Sequence, residues 1–375
     1  IASPYIPFPL AHGAAVRIFN LIRETSQEFD IALVCFTEQP SPIARELLDL
    51  CVEVVTVHRH GSHTHKSQGR PDTVEEFDSP SFHGALRWSV AKWQPQVVQL
   101  EFTQMAIYAS DCHPARTVLV EHDITFDLFE QLVAQHDDWE TRRQYNLWVE
   151  FERMAWTWVD RVAVMSERDQ ATVGDKALVV ANGVDLERFQ PSAIPSEPRR
   201  LLFIGSFAHK PNVLALEFFL QQVFPLLKDV TLHVIAGRSH ERFWDLSHPG
   251  VEVEGFVSDV REAYRRATVV IAPLVASAGT NIKILEAMAM GKAVVSTSAG
   301  INGLDLSSGN GIIVTNEAAD MAAQIERLLN DGPSRAALEQ QARRIVEESF
   351  GWEAIARRQT ALYRELMTTP KDAGI

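Results

Sequence analysis

The chain has little cysteine: Cys35, Cys51 and Cys112 lie far apart and form no CxxC pair. That excludes a disulfide scaffold and a cysteine-ligated zinc or redox site. Cys35 and Cys51 sit in apolar runs, so buried free thiols in a reducing cytosol are expected, and with them a cytoplasmic protein. Basic charge is also short. Lys and Arg number 35 against 49 Asp and Glu, a formal net charge of −14, with nearly all the excess acid in residues 1–195. Nucleic acid is therefore not expected as a partner. The acidic first half is unsuited to anionic lipid and leaves at most a peripheral membrane contact through a local basic or aromatic patch. No apolar run approaches the roughly 20 residues that span a bilayer. The opening IASPYIPFPL has no basic segment of the kind that begins a leader. SPYIPFP reads as the end of a first strand and its loop, so the first strand is expected to be cut short, with residues missing ahead of it.

What is present is a chain of 375 residues, 46% hydrophobic and 22% charged, the balance of a globular protein with two domains. Apolar strand-like runs alternate with helical patterns: IALVCF (31–36), CVEVVTV (51–57), VVQLEF (97–102), TVLVEH (117–122), RVAVMS (161–166) and ALVVAN (177–182). PSAIPSEPRR, with Pro191, Pro195 and Pro198, reads as a linker. The pattern then restarts with LLFIG (201–205), TLHVIAG (231–237), VEVEG (251–255), TVVIAP (268–273), AVVST (293–297) and GIIV (311–314). Continuous apolar strands with helices between them mean parallel sheets covered on both faces, an α/β class built from two Rossmann-like units. Ligands of such sheets bind at the carboxyl ends of the strands.

The stretch APLVASAGTNIKILEAMAMGKAVVST, residues 272–297, is the most specific. It reads as a strand, a loop of small residues, a helix and a second strand. A helix entered through small residues presents backbone N–H groups and the positive end of its dipole, a site for a phosphate or diphosphate. Lys283 can add a charge there, and Glu286, one turn on, can grip a pair of sugar hydroxyls. A solvated helix carboxylate is the alternative for Glu286, but an unpaired charge among these apolar neighbours would be costly.

This stretch resembles the donor-site motif of retaining GT-B glycosyltransferases of family 4, the glycosyl transferases group 1, written G-x-G-x-x-x-K-x-L-E-A-M-A-x-G-x-P-V-V-S-T. FIGSFAHKPNVLALEFF, VEHDITFD, RVAVMSERD and ANGVDLERF resemble further family segments in the expected order, over nearly the whole chain. The resemblance implies two doubly wound Rossmann-like domains facing a cleft. Residues 1–192 would form the acceptor domain and 199–350 the nucleotide-sugar domain, with a helix over 351–369 packing back on the first. In the implied donor site Glu286 binds the ribose, while Lys283 and Lys210 approach the diphosphate and stabilise its charge as the glycosidic bond breaks. Gly205 ends a strand and lets backbone pass close to the ligand.

Two departures matter. The first Glu of the common E-x7-E pattern is replaced by Ala278, and the Arg that often follows Pro-Leu is Val275. Gly279 keeps the second loop glycine, but Ser277 replaces the first. Backbone amides of Ala278, Gly279, Thr280 and Asn281 are therefore expected to hold the donor, with Asn281 near sugar or phosphate.

In the first half, LAHGAAVRIFNLIRE resembles the family's glycine-rich loop. The resemblance places Gly13 and Ala14 close to the diphosphate and the acceptor. Arg17 either reaches phosphate or is an ordinary helix-face arginine. His122 ends a strand and faces a sugar hydroxyl or the acceptor, unless it is simply structural; Glu101 sits equivalently one strand earlier. His58, His60, His63 and His65 are too irregularly spaced for a zinc site, and no D-x-D stands at a strand end, so no metal is expected. Trp139, Trp148, Trp156 and Trp158 read first as a core-facing stripe, with an acceptor groove or a membrane interface as alternatives.

The implied function is metal-independent transfer of a hexose from a UDP- or GDP-sugar to an acceptor hydroxyl with retention. No other cofactor is implied. The acceptor would be a sugar, lipid-linked or other hydroxyl, in cell-surface polysaccharide or glycoconjugate synthesis. With no carboxylate nucleophile placed, a front-face mechanism is the default, with domain closure excluding water. A sugar-nucleotide epimerase on a similar fold, or a non-catalytic glycosyltransferase-like subunit, are the competing readings.

Overall fold

The computed structural model describes residues 1–10, 12–38, 42–59, 69–135, 138–277, 280–304 and 306–368. In chain order the first elements are β1 (Ala2–Ser3), α1 (Gly13–Thr25), β2 (Ala32–Thr37), α2 (Arg45–Leu48), β3 (Glu53–His58), α3 (Asp72–Phe77), α4 (Pro80–Trp93) and β4 (Val97–Glu101). Next come β5 (Arg116–Val120), α5 (Thr125–Gln135), α6 (Trp139–Thr157), β6 (Arg161–Val164), α7 (Glu167–Val173) and β7 (Ala177–Val179). The alternation resumes with β8 (Arg200–Ile204), α8 (Lys210–Phe218), β9 (Thr231–Ile235), β10 (Val251–Glu254), α9 (Arg261–Arg266), β11 (Val269–Ala272) and α10 (Ile282–Ala289). It closes with β12 (Ala293–Ser296), β13 (Ile313–Val314), α11 (Ala318–Asn330), α12 (Gly332–Ser349) and α13 (Trp352–Thr368). Each apolar run singled out in the sequence is a strand.

The strands form two sheets, parallel throughout. One has seven strands in the order β3-β2-β1-β4-β5-β6-β7, the other six in the order β10-β9-β8-β11-β12-β13. In both, the order reverses beside the first strand of the unit, between β1 and β4 and between β8 and β11. Loops leaving the carboxyl ends of those strands diverge and open a crevice for ligand. The chain divides into two compact units, residues 1–182 with the stretch from Trp352 onward, and Gly183–Gly351. The proline-rich stretch 191–198 therefore belongs to the second unit.

In the first unit α13 explains its own position. Trp352, Ile355, Leu362 and Leu366 recur at helical spacing and bury against Leu21 of α1 and Val118 and Val120 of β5. The same face carries Gln359 and Tyr363 into the interior. The opposite face of the sheet is packed with Phe36, Phe82, Tyr108, Phe151 and Trp156. The tryptophan stripe splits: Trp148 and Trp156 are core, while Trp139 is 73% exposed.

The second unit has one core, running from Leu201 and Phe203 through Ile271 and Val294 to Ile325. Within α10, Ile282, Ile284, Leu285, Ala287, Met288 and Ala289 are all buried. That leaves Lys283 and Glu286, three apart and hence on one face, as its only half-buried positions.

Candidate functional site

At the carboxyl end of β8, Gly205 leads into α8. A Cβ on Gly205 would lie 2.7 Å from both Cγ and Oδ1 of Asn212, so only glycine lets that side chain fold back over the strand end. Asn212 donates to the carbonyl of Ser206 at 3.0 Å and accepts from Lys283 Nζ at 2.9 Å. The same ammonium lies 5.3 Å from the ring centroid of Phe203, a cation–π contact. Burial pushes Lys283 down to about 8, against the opposing pull of Glu286. Lys210 begins α8 two residues before Asn212; it is exposed and has no partner among the described residues.

Glu286 is held by a residue the sequence reading missed. The hydroxyl of Tyr264, fully buried on α9, lies 2.9 Å from Oε2 of Glu286 and 3.0 Å from the carbonyl of Lys283. Burial raises Glu286 above the ordinary carboxyl value, opposed by the Tyr264 hydrogen bond and by Arg188 and Lys283. Nothing near Tyr264 in the sequence marks it: its segment, REAYRR, reads as a surface helix.

The loop between β11 and α10 is pinned by the neighbouring loop after β12. Asn281 donates to Gly300 O at 2.7 Å, Asn302 to Ser277 O at 2.6 Å and Thr297 Oγ1 to Leu274 O at 2.5 Å. Thr280 Oγ1 lies 3.4 Å from Gly303 O. The side chains of Asn281 and Thr280 are thus engaged within the loop system. Ala278 and Gly279 lie outside the described residues. The second unit therefore gathers Gly205, Lys283 and Glu286, with Asn212 and Tyr264 added, beside the N-termini of α8 and α10.

The first unit presents a second group. His122 follows β5, and its Nε2 lies 2.8 Å from Oε2 of Glu101 at the end of β4. Phe102 stacks on the imidazole with centroids 3.8 Å apart and planes 7° from parallel. Its backbone is at φ 73°, ψ 147°, a region side chains rarely occupy, and a strain that the surrounding structure must hold. The ring of Tyr5 meets both Phe102 and His12 edge-on. His12 caps α1, with Nδ1 accepting from Ala15 N, immediately before Gly13. Its imidazole is held below the usual value by burial and by nearby His122.

Arg17 lies in the interior of the first unit. It is 1% exposed and donates to Val180 O and Ala181 O, both at 2.7 Å, and to Asn182 Oδ1 at 3.1 Å. The guanidinium ties α1 to the segment after β7. Helical periodicity gave its face but not what that face packs against, and here it meets backbone carbonyls.

Glu121, the residue before His122 in the chain, and Glu152 form a buried acid pair. Trp156 Nε1 donates to Glu121 at 2.6 Å, and the Thr103 hydroxyl lies between Glu121 and Glu152. Glu152 accepts from the amides of Thr125 and Phe126 at 2.8 and 2.9 Å, capping α5. Burial holds both carboxyls above their ordinary value.

Of the histidine run, His58 ends β3, and His60, His63 and His65 lie outside the described residues. Among the described residues no group of three or more His, Cys, Asp or Glu could hold a metal ion. No helix among them is long and apolar enough to cross a membrane. Cys35, Cys51 and Cys112 are buried, and none of the three is in a disulfide.

Residues 198–331 match the family described as Glycosyl transferases group 1, a match covering less than half of the chain. No protein of curated description matches by sequence. Solved structures match over nearly the full length. Sucrose-phosphate synthase from Thermosynechococcus elongatus superposes with a TM-score of 0.74 at 17% identity, covering 97% of this chain and 98% of that one. The Anabaena protein Alr3699/HepE in complex with UDP-glucose gives 0.70 at 15% identity, covering 97% and 98%. A glycosyltransferase from Rickettsia africae gives 0.68 at 14% identity, covering 98% and 99%. The fold is that of the GT-B class, two parallel-sheet α/β units.

Proposed function

We propose that the protein is a retaining glycosyltransferase of the family 4 type. It would move a hexose from a nucleotide diphosphate sugar to an acceptor hydroxyl. The observation that carries this is the Tyr264–Glu286–Lys283–Asn212 cluster on α8, α9 and α10, inside the segment that matches the glycosyltransferase family. A carboxylate oriented by Tyr264 suits a ribose diol. A half-buried ammonium one turn earlier suits the diphosphate, whose charge grows as the glycosidic bond breaks.

In this reading Glu286 binds the ribose, and Lys283 and Lys210 stabilise the leaving diphosphate. Ala278, Gly279, Thr280 and Asn281 supply the loop that receives it, and Gly205 seats Asn212. The cations and the two helix N-termini take the part a divalent ion plays elsewhere, so transfer proceeds without one. The second unit is the donor domain, and the first, through Gly13 and His122, serves the acceptor. UDP is the first base to test, because HepE is a structural neighbour described in complex with UDP-glucose and with UDP; GDP is the alternative. A sugar or lipid-linked hydroxyl in cell-surface glycoconjugate synthesis is the acceptor class. Three buried cysteines with no disulfide among them support work in the reducing cytoplasm.

The test is product stereochemistry. Purified protein with UDP-glucose and a panel of simple glycoside acceptors should yield, by proton NMR, a new linkage with the donor's own anomeric configuration. An inverted linkage would overturn retention. Interconversion of the donor sugar without acceptor would favour the epimerase reading.

A further inference from the structure

His122 belongs to a buried chain of hydrogen bonds that begins on α13. Gln359 Nε2 donates to the hydroxyl of Tyr363 at 2.8 Å, which donates to Gln99 Oε1 at 2.6 Å. Gln99 Nε2 donates to Glu101 Oε1 at 2.5 Å, and the other carboxylate oxygen meets His122 Nε2 at 2.8 Å. Glu101 and Gln359 are each 1% exposed, Gln99 is 3% exposed, and Tyr363 and His122 are 8% exposed.

The chain has a direction. Each phenol and amide passes one donor onward, and both oxygens of Glu101 receive one. Burial alone would raise Glu101, but the hydrogen bond and charge of His122, the nearby Arg17 and the Gln99 amide outweigh it and hold the carboxyl low. An ionised carboxylate has no proton to give, so Nε2 of His122 must carry the hydrogen. In the neutral imidazole Nδ1 is then the atom with the lone pair, and no described residue bonds to it.

We propose that Glu101 is a positioning residue that fixes His122 as the Nε2–H tautomer, with Tyr363 and Gln99 orienting Glu101, so that Nδ1 accepts a hydrogen bond from a substrate hydroxyl. Stacked Phe102 locks the plane of the ring and leaves rotation in that plane to the Glu101 hydrogen bond. Where a histidine must accept rather than donate, the wrong tautomer turns an attraction into a clash of two hydrogens. The consequence for turnover rests on the proposed sugar transfer; the tautomer does not.

The experiment is nitrogen-15 NMR of the full chain labelled at histidine, with His122→Gln identifying the signal, alongside steady-state kinetics with UDP-glucose. Wild type should show His122 as Nε2–H. In Glu101→Gln, whose amide can donate to Nε2, the proton should move to Nδ1. Turnover should fall about 100-fold with KM for the donor little changed, and Tyr363→Phe should lose about tenfold. A wild-type Nδ1–H tautomer overturns the proposal, as does unaltered turnover in both variants. If Glu101→Gln fails to fold, Tyr363→Phe carries the test. If wild type shows no transfer at all, the transfer reading has failed, and the tautomer spectra alone decide the role of Glu101.

Discussion

The hydroxyl of Tyr264 lies 2.9 Å from Oε2 of Glu286, joining a residue of α9 to one of α10 across 22 positions of sequence. Both are drawn toward a neutral state by burial, Tyr264 well above its ordinary value and Glu286 above its own. Tyr264→Phe keeps the ring and its packing but removes the donor. Glu286 Oε2 and the Lys283 carbonyl then lose a partner. A stability loss of about 1–3 kcal/mol is expected by thermal or urea unfolding. Nucleotide affinity should fall about tenfold by calorimetry, as expected for loss of a group that orients a ligating carboxylate.

Lys283 gives a pH signature in two opposite directions. Its value of about 8 lies below that of an unfolded lysine, so the unfolded chain holds the extra proton between the two. Its burial therefore costs stability at neutral pH, and that cost is relieved as pH rises through about 8 toward the unfolded value. Diphosphate binding runs the other way, because the charge that binds it is lost over the same rise. Titrations of UDP across this range should show affinity declining above the midpoint, and Lys283→Met should bind weakly with a flat profile.

The strands and the donor helix were legible because their physics is local. Apolar runs such as VVIA at 269–272 and AVVS at 293–296 need no partner to announce a buried parallel strand. Small residues ahead of IKILEAMA announce a helix N-terminus, with Lys283 and Glu286 on the face its apolar positions leave over. The partners of those residues were not legible. Tyr363 meets Gln99 across 264 positions, and Asn212 meets Lys283 across 71. The acceptors of Arg17, the carbonyls of Val180 and Ala181 and Oδ1 of Asn182, lie more than 160 positions away and were not legible either.

Two glycines should respond oppositely to the same change. Gly205→Ala puts a Cβ 2.7 Å from Asn212 Cγ, forcing that side chain off its Lys283 contact. A loss of about 1–3 kcal/mol and weaker nucleotide binding are expected. Gly84, inside α4, has nothing within 4 Å of such a Cβ. Gly84→Ala should instead stabilise by about 0.5–1 kcal/mol with binding unchanged. Paired unfolding curves and calorimetry check both.

The acid pair Glu121 and Glu152 should make the fold less stable toward alkaline pH. Both carboxyls are raised above their unfolded values by burial, so the native state holds a proton the unfolded chain has released. That contribution is present below the unfolded value and is lost as pH rises through the native one. Thermal midpoints should fall as pH increases from about 5 upward. Glu121→Gln, which keeps the hydrogen-bonding shape without the charge, should flatten the fall.

The measurement that bears most directly on the account is isothermal calorimetry of UDP, and of GDP and ADP beside it, with and without EDTA, on wild type and Glu286→Ala. Saturable binding of one nucleotide, indifferent to EDTA and weakened at least about tenfold in the variant, is the result expected for a carboxylate that grips the ribose. A folded wild type that binds none of them, or a variant that binds as well as wild type, would contradict the donor site and bring the non-catalytic subunit to the front.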